Sequence, residues 1–374
     1  MNRRIIVVTN DFPPRQGGIQ SFVYALVRRL PADSVVVYAS NYRGAADFDA
    51  EQPFAVVRHP SPLLIPSPAA RRRICALAHD FGASAAWFGA AAPLALLAPS
   101  LRAVGVERTV ATTHGHEVGW ALLPAARQLL RRIGDNCDVV TYLGDYTRRR
   151  LAPALGPHCQ LRQLAPAVDT ERFRPGIDTD FLRERYRLGP APVIVCVSRL
   201  VKRKGQDTLI DALPSVRQEI PDARLVIVGG GPYAAKLEAL SRRRGVADAV
   251  VFTGPVPESE LPAHFALGDV FAMPCRTRRF GLDVEGLGIV YLEASATETP
   301  VIAGDSGGAP DAVRDQETGY VVGGHDRADL RRRLVDLLRD PEKARAMGRA
   351  GRRWVERDWQ WDAAAAQLQA LLNG

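Results

Sequence analysis

Runs of three to five mostly apolar residues, many of them β-branched, recur along this chain, and helical segments follow most of them. Ile5–Val8, Val35–Ala39, Val110–Thr113 and Val139–Tyr142 form one series; Val193–Val197, Leu225–Val228, Val250–Phe252, Val270–Met273 and Val301–Ala303 form a second. A strand that is apolar at every position is buried on both faces. That is the mark of a parallel sheet covered by crossover helices. Helices are predicted at Ser21–Leu30, Thr208–Val216, Lys236–Arg244, Leu292–Thr297, Leu330–Leu338 and Glu342–Asp358. Two α/β units are expected, and a length of 374 residues suits two cores better than one.

The segment Ala165–Pro175 holds two prolines and no periodicity, so it reads as a linker. The expected division is 1–167 for the first domain and 168–358 for the second. The alanine-rich helix of 359–374 is expected to pack back on the first domain.

Composition excludes several classes. With 47% hydrophobic and 24% charged residues the chain is of globular type. The most apolar stretch, Ala83–Leu101, is interrupted by Pro93 and Pro99, so it reads as buried strand, turn and helix, not a bilayer span. Met1-Asn2-Arg3-Arg4 leads into an apolar run too short for a signal peptide. The scattered Cys75, Cys137, Cys159, Cys196 and Cys275 show no C-x-x-C spacing and read as reduced thiols of a cytoplasmic protein. A net charge of +8 admits nucleic acid or an anionic membrane surface as partners. With no basic module interleaved with aromatics, nucleic acid is not expected.

Ligands of doubly wound sheets meet the loops at the C-terminal strand ends. The chemistry-bearing residues of this chain follow its strands. After the first comes Asp11 through Gly17-Gly18 to Ser21, where paired glycines let an anion approach a helix start. After Val110–Thr113 comes His114-Gly115-His116-Glu117. No third ligand at suitable spacing accompanies the two histidines, so His114 is favoured as a hydrogen-bonding group at a reacting centre and His116 as secondary. After Val193–Val197 come Arg199 and Lys204, a planar fork and a point charge able to clamp a diphosphate. Gly229-Gly230-Gly231-Pro232 after the next strand fits a weak dinucleotide fingerprint, with Asp248 near the offset of a ribose ligand. Last come Glu285, before a Gly-x-Gly turn, and Glu293, expected about two turns into the following helix. A pair of acids near a helix start is often no more than a solvated pair. The glycines between these two argue for close backbone approach by a ligand.

Taken together, Gly17-Gly18, His114, Arg199 with Lys204, Gly229–Pro232, Glu285 with Glu293 and Gly307-Gly308 resemble the GT-B-fold retaining glycosyltransferases of family 4. The resemblance covers nearly the whole chain. Thr113–Trp120 and Asp283–Glu293 are most similar to the actinobacterial phosphatidylinositol mannosyltransferases, the type adding a second, α-1,6-linked mannose to the monomannoside. It implies an α/β GT-B fold, two Rossmann-like doubly wound domains facing across a cleft. The first domain would bind the acceptor and the second the nucleotide sugar.

The implied roles follow residue by residue. Arg199 and Lys204 hold the departing diphosphate, helped by Gly17, Gly18 and the N–H groups near Gly288 and Ile289. Glu293 binds the ribose, and Val256 meets the base through its backbone. Glu285 holds the sugar hydroxyls, and His114 contacts the sugar C6 hydroxyl. Asp11 and His116 lie on the acceptor side. GDP-mannose is the implied donor and no metal or other cofactor is implied. The acceptor is an anionic glycolipid, reached by peripheral contact at the inner face of the cell membrane. Pro60–Pro68 with Arg71-Arg72-Arg73 is the candidate contact. Another nucleotide sugar or acceptor is the alternative. A dinucleotide oxidoreductase using the Gly229 loop and a non-catalytic basic binding protein are weaker readings. Two departures from the family pattern stand out: Glu298 in the Thr297–Pro300 turn, and the basic run Arg276–Arg279.

Overall fold

The structure is a computed structural model and describes residues 3–374. Met1 and Asn2, the start of the segment read above as too short for a signal peptide, lie outside the described residues. The chain forms two compact units. One runs to Pro166 and regains the chain at Trp361–Gly374; the other is Ala167–Gln360.

The first unit holds strands β1 (Ile5–Thr9), β2 (Val35–Ser40), β3 (Ala55–His59), β4 (Ala85–Phe88), β5 (Arg108–Thr112), β6 (Val139–Tyr142) and β7 (Gln160–Gln163). They form one parallel sheet in the order β3-β2-β1-β4-β5-β6-β7. The order reverses between β1 and β4, which places the switch point of the sheet there. Alternation along β1 sends Ile6 and Val8 to one core and Ile5 and Val7 to the other. The second of these cores is closed by Ala365, Leu368 and Leu372 of the last helix, Trp361–Asn373. Arg29 to Asp362, Arg108 to the Leu371 carbonyl and Gln367 to the Gln163 carbonyl pin that helix at its edges.

The second unit holds β8 (Val193–Val197), β9 (Arg224–Val228), β10 (Val250–Gly254), β11 (Val270–Met273), β12 (Val301–Gly304) and β13 (Gly319–Val322). These too are parallel, in the order β10-β9-β8-β11-β12-β13, with the switch point between β8 and β11. The loops after β8 and β11 carry Lys204 and Glu285, so this topology brings them together.

Some expected boundaries move. The first helix begins at Gly18, not Ser21, and ends at Val27. The helix carrying Glu293 begins at Ile289, so Glu293 is one turn inside it and not two. Strands β3, β7 and β13 were not expected. β3 and β7 are sheet edges, and β7 reads Gln-Leu-Arg-Gln, without an apolar run to announce it.

Candidate active site

In the second unit the loop after β11 brings the Glu285 carboxylate into the fold, where the residue is 6% exposed. Oε2 lies 2.9 Å from Lys204 Nζ and 3.5 Å from Arg203 Nε. Neither cation is aligned for a hydrogen bond to it. Oε1 is not among the buried unpaired atoms, and none of the described residues bonds to it. The carboxylate therefore has one oxygen held against two cations and one left for a ligand.

The loop is held from below by glycines. The Gly308 N–H donates to the Glu285 carbonyl at 2.9 Å. A Cβ on Gly307 would sit 2.0 Å from that same oxygen, and one on Gly308 would sit 2.1 Å from the Gly286 carbonyl. The Glu285 N–H donates to Ser306 Oγ at 3.2 Å. Gly307-Gly308, conspicuous in the sequence but without a role there, is the cradle that sets the height of Glu285.

Beyond it, Gly288 (φ +84°) caps the helix Ile289–Ala296. Among the described residues the Ile289 and Val290 N–H groups have no partner, so this helix end presents free donors to an anion. Glu293 is half-buried in the same helix. Burial pushes its carboxyl up to about 7, with Glu258 adding to the shift and Arg172 opposing it. Val256 lies in the turn after β10, and its backbone groups bond to none of the described residues.

Lys204 and Arg199 stand in different surroundings. Lys204 is nearly buried on Glu285, whereas Arg199 is exposed and its guanidinium has no partner among the described residues. Gly229-Gly230-Gly231 has a structural reason: a Cβ on Gly229 would meet the Ser198 carbonyl at 2.2 Å, and one on Gly231 the Leu200 carbonyl at 2.4 Å. Asp248 precedes β10 and pairs with Arg217 at 3.3 Å. It lies at the end of the sheet opposite the Gly229 loop, so the dinucleotide fingerprint does not assemble. Of the basic run, Arg276 faces neither solvent nor lipid. It is buried and bonds both oxygens of Asp207, at 2.8 and 2.6 Å.

Cys275 and Cys196 lie buried, and burial pushes their thiols up to about 11 and about 12. The Tyr291 hydroxyl donates to the Met273 carbonyl at 2.7 Å and lies 3.2 Å from Cys275 Sγ, and all five cysteines are free thiols.

In the first unit a second set of groups gathers at the β1/β4 switch point. His114 Nε2 is 2.6 Å from the Gly89 carbonyl. A carbonyl only accepts, so Nε2 carries the proton. Burial holds this imidazole below its ordinary pKa, with Glu117 and Gly89 opposing the shift. The ring is then neutral at pH 7, and Nδ1 is an acceptor. Glu117 was not singled out in the sequence. It is fully buried; Oε2 accepts from the His114 N–H at 3.0 Å, and Oε1 lies 3.2 Å from His116 Nε2. Asp11 accepts from Gln20 Nε2 at 2.6 Å. Gly17 and Gly18 are exposed, and nothing lies within 4 Å of where a Cβ on Gly18 would be. Among the described residues no group of three or more His, Cys, Asp or Glu is placed to hold a metal ion.

Comparison with known proteins identifies the family. Residues 16–172 match the model of Glycosyltransferase Family 4, and residues 178–354 that of Glycosyl transferases group 1. The chain is 54% identical, over 99% of its length and 98% of the relative's, to the GDP-mannose-dependent α-(1-6)-phosphatidylinositol monomannoside mannosyltransferase of Mycobacterium tuberculosis. It is 45% identical over 100% of its length, and 98% of the relative's, to a GDP-mannose-dependent enzyme of Corynebacterium glutamicum named for the monoacylated monomannoside. Among solved structures, Anabaena Alr3699/HepE in complex with UDP superposes with a TM-score of 0.84 at 18% identity over 99% of each chain, which is a likeness of fold. The free acid, the helix end and the cations at strand ends thus sit in a GT-B scaffold, and the chain belongs to the family 4 glycosyltransferases, among the phosphatidylinositol monomannoside mannosyltransferases.

Proposed function

We propose that the protein transfers mannose from GDP-mannose to phosphatidylinositol monomannoside, forming the α-1,6 linkage with retention. The observation that carries this reading is Glu285, with one carboxylate oxygen set against two cations and the other open, one short turn from an unpartnered helix start. The donor's diphosphate lies at the Ile289 helix end, with the exposed Arg199 and with Lys204 as its cations. Preorganised charge of this kind stabilises the leaving group as the sugar bond breaks. Glu293 takes the ribose hydroxyls and the Val256 backbone meets the base. Glu285 Oε1 accepts from the sugar's hydroxyls, and its charge stabilises the oxocarbenium-like centre. His114 Nδ1 accepts from the C6 hydroxyl. A second carboxylate in the role of a nucleophile is not assigned. The acceptor attacks from the face the diphosphate leaves, and the departing phosphate takes its proton. Asp11 and His116 serve the acceptor.

The acceptor is a lipid, so the protein works as a peripheral protein at the inner face of the membrane. Among the described residues no helix is long and apolar enough to cross a bilayer. Leu63 and Ile65 are 60% and 51% exposed, while Leu64 between them is buried. Arg71, Arg72 and Arg73 are exposed on the helix that follows. Apolar tips beside cations suit an anionic lipid surface.

Donor consumption is the test. GDP-mannose should be consumed when phosphatidylinositol monomannoside is present and far more slowly without it. UDP-glucose should be a poor donor, and Glu285→Gln should abolish transfer. Preference for a UDP-sugar would move the protein to another donor class. Vesicles containing anionic lipid should retain the wild type at low salt and lose the double variant Leu63→Ser, Ile65→Ser.

A further inference from the structure

Lys204 is required in two places. The proposed donor needs it at the diphosphate, yet its ammonium lies 2.9 Å from Glu285 Oε2, and its side chain is 11% exposed. A buried carboxylate stripped of its counter-ion is strongly destabilised. If Lys204 turns toward a phosphate, another cation must take its place on Glu285.

Arg203 is placed to do so. Its Nε lies 3.5 Å from the same Oε2, and both atoms are buried and without a hydrogen bond. These are a donor and an acceptor separated by less than an ångström beyond a charge-assisted bond. The far end of the guanidinium is steadied by Asp283, 3.8 Å from Nη1, and Asp283 is itself held by Arg278 at 3.3 Å. The Arg203 carbonyl accepts from the Arg276 N–H at 2.8 Å, and Arg276 is locked on Asp207. The backbone is thus fixed while the Nε–H has room to close on Glu285.

We propose that Arg203 is a positioning residue: it takes over the Glu285 carboxylate when Lys204 engages the diphosphate of a bound nucleotide, and so keeps Oε1 presented to the sugar. Arg203 touches neither donor nor acceptor in this role. The inference rests on the reading of this site as one for a nucleoside diphosphate.

A double-mutant cycle read by calorimetric binding of GDP, and in parallel UDP, tests it. Arg203→Ala in the wild type should weaken nucleotide binding by roughly tenfold, because Lys204 is then retained by Glu285. In a Glu285→Gln background no charge holds Lys204, and Arg203→Ala should change affinity by less than about twofold. Arg203→Lys, which keeps a cation near Glu285, should recover part of the loss and serves if the alanine variant does not fold. An equal loss in both backgrounds would mean that Arg203 meets phosphate directly and overturns the proposal. No loss in the wild-type background overturns it as well. Binding of UDP in place of GDP by the wild type would count against the GDP-mannose reading, and the cycle would then be decided with UDP.

Discussion

Gly307 and Glu285 are in backbone contact: Gly307, at φ +59°, passes so close beneath Glu285 that a methyl group on it would lie 2.0 Å from the Glu285 carbonyl oxygen. Gly307→Ala therefore meets two costs. A non-glycine residue in the left-handed region costs about 1–2 kcal/mol, and the clash must lift the loop that carries the acid. The melting temperature should fall and kcat should drop by roughly a hundredfold, since displacements near 1 Å at a reacting group cost about that much. Steady-state kinetics beside a thermal melt measures both. A variant that melts lower but keeps its kcat would show that the height of Glu285 does not matter.

Gly18 makes the opposite case. Its backbone needs no glycine, and a Cβ there would enter open space. As the first residue of the helix Gly18–Val27 it should accept alanine with a stability change within about 0.5 kcal/mol. If the donor's phosphates approach this backbone, Gly18→Ala should raise the donor KM several-fold with the melting temperature unchanged. Unaltered kinetics would remove Gly18 from the donor site.

Glu293 carries a pH dependence. Its folded-state value of about 7 stands above the ordinary 4.5, so the folded form holds more protons than the unfolded form between those values. Its contribution to stability is favourable on the acid side and is lost as pH rises from about 4.5 through 7, by at most about 3 kcal/mol. Glu293→Gln should flatten that part of the stability–pH curve. On the proposed role of Glu293, ribose hydroxyls would donate to its ionised form, so donor affinity should rise with pH through 7 and binding should release protons. Calorimetry in buffers of different ionisation enthalpy detects the release.

Glu298 occupies the left-handed region at φ +62°, directly after the helix that bears Glu293 and at a position where helices commonly end on glycine. Glu298→Gly should stabilise the protein by about 0.5–1 kcal/mol, offset in part by the greater freedom of glycine in the unfolded chain. Denaturant titration should show a higher midpoint with an unchanged slope. A lower midpoint would mean that the carboxylate has a compensating role.

Which parts of this molecule were legible in its sequence follows from burial. β8 and β11 match their expected limits residue for residue, because strands buried on both faces are written as unbroken apolar runs. Edge strands such as β7 have one side in solvent and no such signature. The same divide runs through the site. The meeting of Lys204 and Glu285 was legible because both follow strands that flank the switch point of the sheet. Arg203 carries no such signal, because its contact is with a loop some eighty residues away, and spacing cannot display that. The pairing of Arg199 with Lys204 was a reading of spacing alone; in the fold one is exposed and the other is held by an acid.

The last helix has a consequence for the order in which the molecule is made. Leu368 and Leu372 complete the core that Phe22, Val23 and Leu26 begin. The first unit to leave the ribosome is therefore the last able to finish folding, while residues 167–360 are already whole before the final helix emerges. A nascent chain released short of Trp361 would carry an open apolar face on its N-terminal sheet, a natural handle for chaperones and proteases that inspect incomplete products.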